Sequence, residues 1–127
     1  MSTVDVVNRL YAGFAAGDID AVVATFADDI EWTEAAGCPY AGTFVGSEAI
    51  VENVFRRLGT EWDGFKAEPD RVISDGDQAA ARGWYSGTYK QTGKSFRARF
   101  VHWYTVTDGK IARFEQVVDS SKVNEAV

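Results

Sequence analysis

Residues 96–106 read Phe-Arg-Ala-Arg-Phe-Val-His-Trp-Tyr-Thr-Val. Counted with the two-residue period of a strand, Phe96, Ala98, Phe100, His102, Tyr104 and Val106 share one face. Arg97, Arg99, Val101, Trp103 and Thr105 share the other. The only histidine of the chain therefore stands mid-strand among apolar and aromatic side chains. Imidazole exchanges a proton near neutral pH. Two readings of His102 are open at this point. It is either a core histidine whose nitrogens are satisfied by neighbours, as buried polar groups generally are, or a residue lining a pocket.

On both sides of this stretch the sequence keeps the same period. Asp108-Gly109 is a strong hairpin signal, and residues 110–118 follow with Phe114, Gln116 and Val118 on one face. Upstream, Thr92-Gly93 turns the chain back to a strand over 78–89 that carries Trp84, Tyr85 and Tyr89. Asp75-Gly76-Asp77 leads back to a strand over 65–74, edged by Pro69. The period changes before residue 61. Val4, Val7, Leu10, Tyr11 and Phe14 have the spacing of an amphipathic helix over 3–16, with Ser2 or Thr3 as N-cap and Gly17 as the stop. Asp18 begins a second short helix, ended by Asp28-Asp29. Residues 30–34 alternate as a short strand with Ile30, Trp32 and Glu34 together, and 35–46, broken by Gly37, Pro39, Gly42 and Gly46, is a loop. Ser47 caps a third helix, with Ile50, Val51, Val54, Phe55 and Leu58 inward, which ends at Arg56-Arg57 before Gly59. Asp119 caps a helical tail.

Three helices followed by a meander of long antiparallel strands is an α+β pattern, here in a single domain over 1–127. A strongly curved sheet wrapped on a long helix leaves a cavity, and His102 would look into it. Four Trp, five Tyr and eight Phe suit an aromatic-lined pocket as well as a core. The net charge of −6 argues against nucleic acid and against anionic membranes as partners. The single Cys38 rules out an intramolecular disulfide and a cysteine zinc site, and one histidine makes no ordinary metal site, so no metal or cofactor is expected. No basic region and apolar run opens the chain and no apolar stretch approaches a membrane span, so a soluble cytoplasmic protein is expected.

Several segments carry a resemblance. They are Ala16-Gly17-Asp18-Ile19-Asp20-Ala21 with Phe26-Ala27-Asp28-Asp29-Ile30, then Phe44-Val45-Gly46-Ser47-Glu48-Ala49-Ile50, and Phe100 through Ile111 to Val118-Asp119. Together they resemble the nuclear transport factor 2-like superfamily, in its branch of SnoaL-like polyketide cyclases and ketosteroid isomerase-related proteins. The resemblance implies a cone-shaped, cystatin-like α+β barrel with three N-terminal helices on a curved, mostly antiparallel sheet. It also implies a homodimer formed through that sheet. It places Glu34 where the isomerases hold their carboxylate base and His102 where they hold an oxyanion-hole acid. Asp119 falls where the cyclases hold an acid/base aspartate. Two departures stand out. The isomerases' helix tyrosine falls on Leu10, one residue from Tyr11, and the Arg-Asp-Asp set of an epoxide hydrolase-like site is not evident.

The chemistry implied is general acid/base catalysis by His102, Asp119 and Glu34 on a small apolar carbonyl compound: enolisation, isomerisation or aldol cyclisation. Trp32, Tyr11, Tyr40, Trp84, Tyr104, Phe114 and Gln116 are the expected binding residues. The alternatives are a binding protein without turnover, or a dimeric interaction module whose cavity is filled. Glu34 could equally be a solvated strand end. Asp119 could be only a helix cap, since alternation from Gln116 aims it away from the pocket unless a bulge intervenes.

Overall fold

The computed structural model describes residues 2–127. Helix α1 (Thr3–Ala16) opens with a reciprocal cap. The Asp5 amide donates to the Ser2 hydroxyl at 3.1 Å, and the Ser2 amide donates to the Asp5 carboxylate at 3.2 Å. Gly17 ends the helix in the left-handed region at φ 68°. Helix α2 (Ile19–Val23) follows, capped by Asp18. It does not run to Asp28-Asp29. Those two residues lie within strand β1 (Phe26–Glu34), where a register shift between Phe26 and Glu31 bulges both aspartates into solvent.

Strand β2 (Gly42–Val45) lies inside the stretch expected to be a loop, paired antiparallel to β1 from Glu31↔Val45 to Glu34↔Gly42. The expected third helix is longer and divided. Helix α3 (Ser47–Ile50) passes through a π turn (Val51–Phe55) into helix α4 (Arg56–Glu61). Gly46, not Ser47, is the N-cap residue, with no side-chain cap bond. Nor do Arg56-Arg57 end the rod. It continues through Gly59, where helical φ and open space put no demand on the residue.

The meander is β3 (Trp62–Asp75), β4 (Gln78–Tyr89), β5 (Ser95–Thr107) and β6 (Lys110–Val118), then α5 (Ser120–Ala126). The sheet order is β2-β1-β6-β5-β4-β3, antiparallel throughout except for β1 beside β6. The sheet curls without closing: β2 and β3 are its two edges. It is therefore an open cone rather than a barrel, and the α+β class stands. Helix α1 lies across β3 to β6, and α5 covers β5.

The period-two reading of β5 holds at each position: Phe96, Ala98, Phe100, His102, Tyr104 and Val106 are all buried. Along β4 the inward set is Ala79, Ala81, Gly83 and Tyr85. Gly83 is where β3 bends, opposite Pro69 and next to a register shift between Pro69 and Arg71. With no Cβ at that point, the Phe100 ring and the Pro69 backbone come close to the strand. Phe100 then stacks on the His102 ring, with centroids 4.0 Å apart.

Candidate functional site

A cavity of about 840 Å³ lies between the concave face of the sheet and the helices. Its wall runs from the buried His102, Gln116 and Glu34 out to the exposed Lys66 and Glu68 on β3. Trp32 and Phe114 stack at 3.6 Å between centroids on adjacent strands and form one flat side.

Glu34 ends β1, on the same face as Trp32, and is only 6% exposed. The Trp32 indole N–H donates to its carboxylate at 3.1 Å. Among the described residues no lysine or arginine pairs with it. Burial pushes its pKa up to about 7, against the smaller opposing pull of the Trp32 and Gln116 side chains. A carboxyl group so placed is half ionised near neutrality, where it can both take and return a proton.

His102 is held by hydroxyl groups. Its Nδ1 is 2.6 Å from the Tyr11 hydroxyl, and its Nε2 is hydrogen-bonded to the Tyr85 hydroxyl. Tyr104 donates to Tyr11 at 2.8 Å, and the Gln116 amide donates to Tyr85 at 2.8 Å. Burial pushes the imidazole pKa down to about 3, so the ring is neutral. Burial also raises the Tyr85 and Tyr104 hydroxyls well above the ordinary phenol range. The result is a line of neutral hydrogen-bonding groups with no ionised member. The Gln116 carbonyl accepts from the Ala35 amide at 3.0 Å and ties this line to the residue after Glu34.

The structure brings Glu34, His102, Trp32, Tyr40, Tyr104, Phe114 and Gln116 to the cavity wall. Tyr40 donates to Glu61 at 2.7 Å and accepts from the Trp62 indole at 2.8 Å, fastening the loop after β1 to α4 and β3. Three expected residues stand elsewhere. Tyr11 is buried behind His102 and forms no part of the wall. Trp84 faces outward, under the Arg97 and Arg99 guanidinium groups at 3.7 and 4.7 Å. Asp119 is exposed at the start of α5 and accepts from the Ser121 hydroxyl at 2.8 Å. No bulge turns it inward, so the expected His102–Asp119 pair is absent.

The residue the sequence reading missed is Tyr85. Its signal was available: Ala79, Ala81 and Gly83 are small residues in alternation, and Tyr85 is the next on their face. Trp62 is buried and lines the cavity, and half-buried Cys38 lines it as well. Burial and the nearby Glu34 charge raise the Cys38 thiol to about 11, which leaves it protonated and unreactive.

A family model for the SnoaL-like domain matches residues 7–114. The chain belongs to the SnoaL-like family. Among solved structures, it is similar to a nuclear transport factor 2-like protein from Burkholderia thailandensis. The two are 45% identical, over 99% of this chain and 97% of that one, with a TM-score of 0.97. TerC co-crystallised with polyporic acid is 28% identical over 98% of this chain and 96% of that one, at a TM-score of 0.88. A protein of ketosteroid isomerase-like fold from Catenulispora acidiphila, in complex with trimethylamine, is 18% identical. It matches over 98% of this chain and 93% of that one at a TM-score of 0.84, which bears on the fold alone. No curated protein matches the chain significantly. The family and the cavity make this a SnoaL-like protein with a small-molecule pocket. Among the described residues no helix is long and apolar enough to cross a membrane.

Proposed function

We propose that this SnoaL-like protein catalyses proton transfer at carbon in a small, largely apolar carbonyl compound, with Glu34 as the base. The observation that carries this reading is a buried carboxyl group on the cavity wall, with a pKa pushed to about 7 and no cationic partner among the described residues. Enolisation, isomerisation and aldol cyclisation all begin with that step, and a base and a hydrogen-bond donor suffice for it. The flat, stacked Trp32–Phe114 wall favours planar substrates. TerC, crystallised with polyporic acid, supports a small-molecule ligand for this family's fold.

The test is deuterium incorporation beside the carbonyl of a panel of bicyclic ketones, followed by NMR in wild type and Glu34→Gln. The expected result is exchange above the buffer rate in wild type, falling at least about a hundredfold in Glu34→Gln, the scale of a single general base. Ligand-induced stabilisation with no exchange would instead make the protein a binding module. We also propose that two copies associate through the outer face of the sheet, where Trp103 and Val117 are 50% and 60% exposed on neighbouring strands.

A further inference from the structure

The hydrogen bonds around His102 leave one proton unspent, and its position depends on which ring nitrogen is protonated. The Tyr11 oxygen already accepts from Tyr104. If Nδ1 carried the imidazole proton, Tyr11 would accept a second bond from His102. Its own hydroxyl proton would then have no acceptor among the described residues, at a buried site that is not part of the cavity wall. Leaving a buried donor unmade costs about 1–3 kcal/mol. If Nε2 carries the proton, Tyr11 donates to Nδ1 and nothing behind the ring is left over. The Tyr85 oxygen then accepts from both His102 and Gln116, and the Tyr85 hydroxyl proton is the one left free. Tyr85 does line the cavity, so that proton has somewhere to go.

We propose that Tyr85, not His102, donates the hydrogen bond to the oxygen of the bound molecule, and that His102 is a positioning residue locked as its neutral Nε2–H tautomer. This rests on the cavity being a carbonyl site, as argued above. The placement also narrows the substrate class. Gln116 touches Tyr85 through its amide nitrogen, holds Ala35 through its carbonyl, and draws the Glu34 carboxyl towards its charged form. Donor and base thus sit side by side on one wall. A substrate must present an acceptor oxygen and an acidic C–H on the neighbouring carbon, as an enolisable ketone does. In the step itself, the Glu34 carboxylate takes the α-proton and the C–H electron pair becomes the C=C bond. The carbonyl π pair moves to oxygen, where the Tyr85 hydroxyl stabilises the charge without giving up its proton. Returning the proton from Glu34 to carbon closes the cycle.

The experiment uses long-range ¹H–¹⁵N NMR of the single histidine, then titration of ring-labelled tyrosine protein with 2-tetralone as probe. The expected results are a proton on Nε2, a saturable shift at Tyr85, and roughly tenfold weaker 2-tetralone binding in Tyr85→Phe, the loss of about one hydrogen bond. Should Tyr85→Phe fold poorly, 3-fluorotyrosine at position 85 keeps the side chain and strengthens the donor, and tighter binding is expected. A proton on Nδ1, or no saturable shift at Tyr85, overturns the proposal. Binding at Tyr85 without deuterium exchange would uphold the donor and sink the catalytic reading. Exchange that survives Tyr85→Phe unchanged would do the reverse.

Discussion

Glu34 and His102 are displaced from their ordinary pKa values in opposite directions by the same cause, burial beside one cavity. For Glu34 the folded value, about 7, is above the unfolded one. Between about pH 4.5 and 7 the folded chain holds a proton that the unfolded chain has lost, so stability falls as pH rises through that window. The full cost is about 3 kcal/mol above pH 7, on a linkage scale of about 1.4 kcal/mol per pKa unit. Glu34→Gln removes it. Urea unfolding should therefore find the variant more stable than wild type by up to about 3 kcal/mol at pH 8, and level with it at pH 4.5. A difference that is the same at both pH values would count against a buried, titrating Glu34. For His102 the folded value, about 3, lies below the unfolded one. Acidification from about pH 6.5 loads a proton on the unfolded chain only, so stability falls as pH drops. The groups that face the ring are the hydroxyls of Tyr11 and Tyr85 and the rings of Phe100, Tyr104 and Phe114, with Glu34 the titratable carboxyl on the same cavity. The ring carbon and proton resonances of His102 should hold still from pH 8 to 5, and a midpoint near 6.5 would show that it is not enclosed. Three of the cavity's polar residues, Glu34, His102 and Gln116, were legible because each shares its strand face with large apolar neighbours. Asp119 and Trp84 were misjudged for a related reason. A family motif and an aromatic side chain were given weight that strict alternation along β6 and β4 denied them.

At the scale of elements, the long strands were legible because period two runs from residue 78 to 118 apart from its two turns and one bulge, between Ile111 and Arg113. Strand β2 and the π turn were not. Residues 42–45 are glycine-flanked and mostly exposed, and they are a strand only because β1 supplies the pairing. The π turn keeps Ile50, Val54 and Phe55 buried, a set that an ordinary α-helix would bury equally well. Two glycines separate what backbone geometry demands from what composition suggests. A Cβ at Gly83 would stand 2.5 Å from the Phe100 ring and 2.8 Å from the Pro69 Cα, and closest of all to the Glu68 carbonyl. Backbone atoms on the next strand cannot rotate away. Gly83→Ala should cost at least about 1–3 kcal/mol, the range for overpacking. It should also disturb Phe100 and with it the stacked His102. Gly59 is exposed, helical and has open space around it, so Gly59→Ala should stabilise by about 0.5–1 kcal/mol. Thermal unfolding of the two variants should move in opposite directions. A Gly83→Ala midpoint at or above that of wild type would show that the close approach of Phe100 and Pro69 does not need a glycine there.

Across the whole molecule, the two faces of β5 do different work. Every inward residue of that strand from Phe96 to Val106 is enclosed, while Trp103 is half exposed on the outside. Val117 pairs with Val101 one step along the register, and Ile73 is 57% exposed on β3, so among the described residues apolar side chains recur across an outer face left open to solvent. The polar groups there are mostly engaged already. Asp70 bridges Arg82 and Arg99 at 2.9 and 2.8 Å, and the Trp103 indole donates to Gln78 at 2.7 Å. An outer sheet face with Asp70 paired to two arginines and its aromatic exposed suits a second copy of itself, related by a twofold axis. Sedimentation velocity should find wild type at twice the chain's mass. Trp103→Asp combined with Val117→Asp should run as a monomer, because each dimer would then bury four unpaired carboxylates. Neither side chain belongs to the buried core, so far-UV circular dichroism should be unchanged and the readout is assembly rather than folding. A wild type that stays monomeric at high concentration, or a double variant that still dimerises, would put the interface elsewhere. The same comparison bears on the cavity. If the outer face is what stiffens β5, the monomeric variant should bind 2-tetralone more weakly although no wall residue has changed.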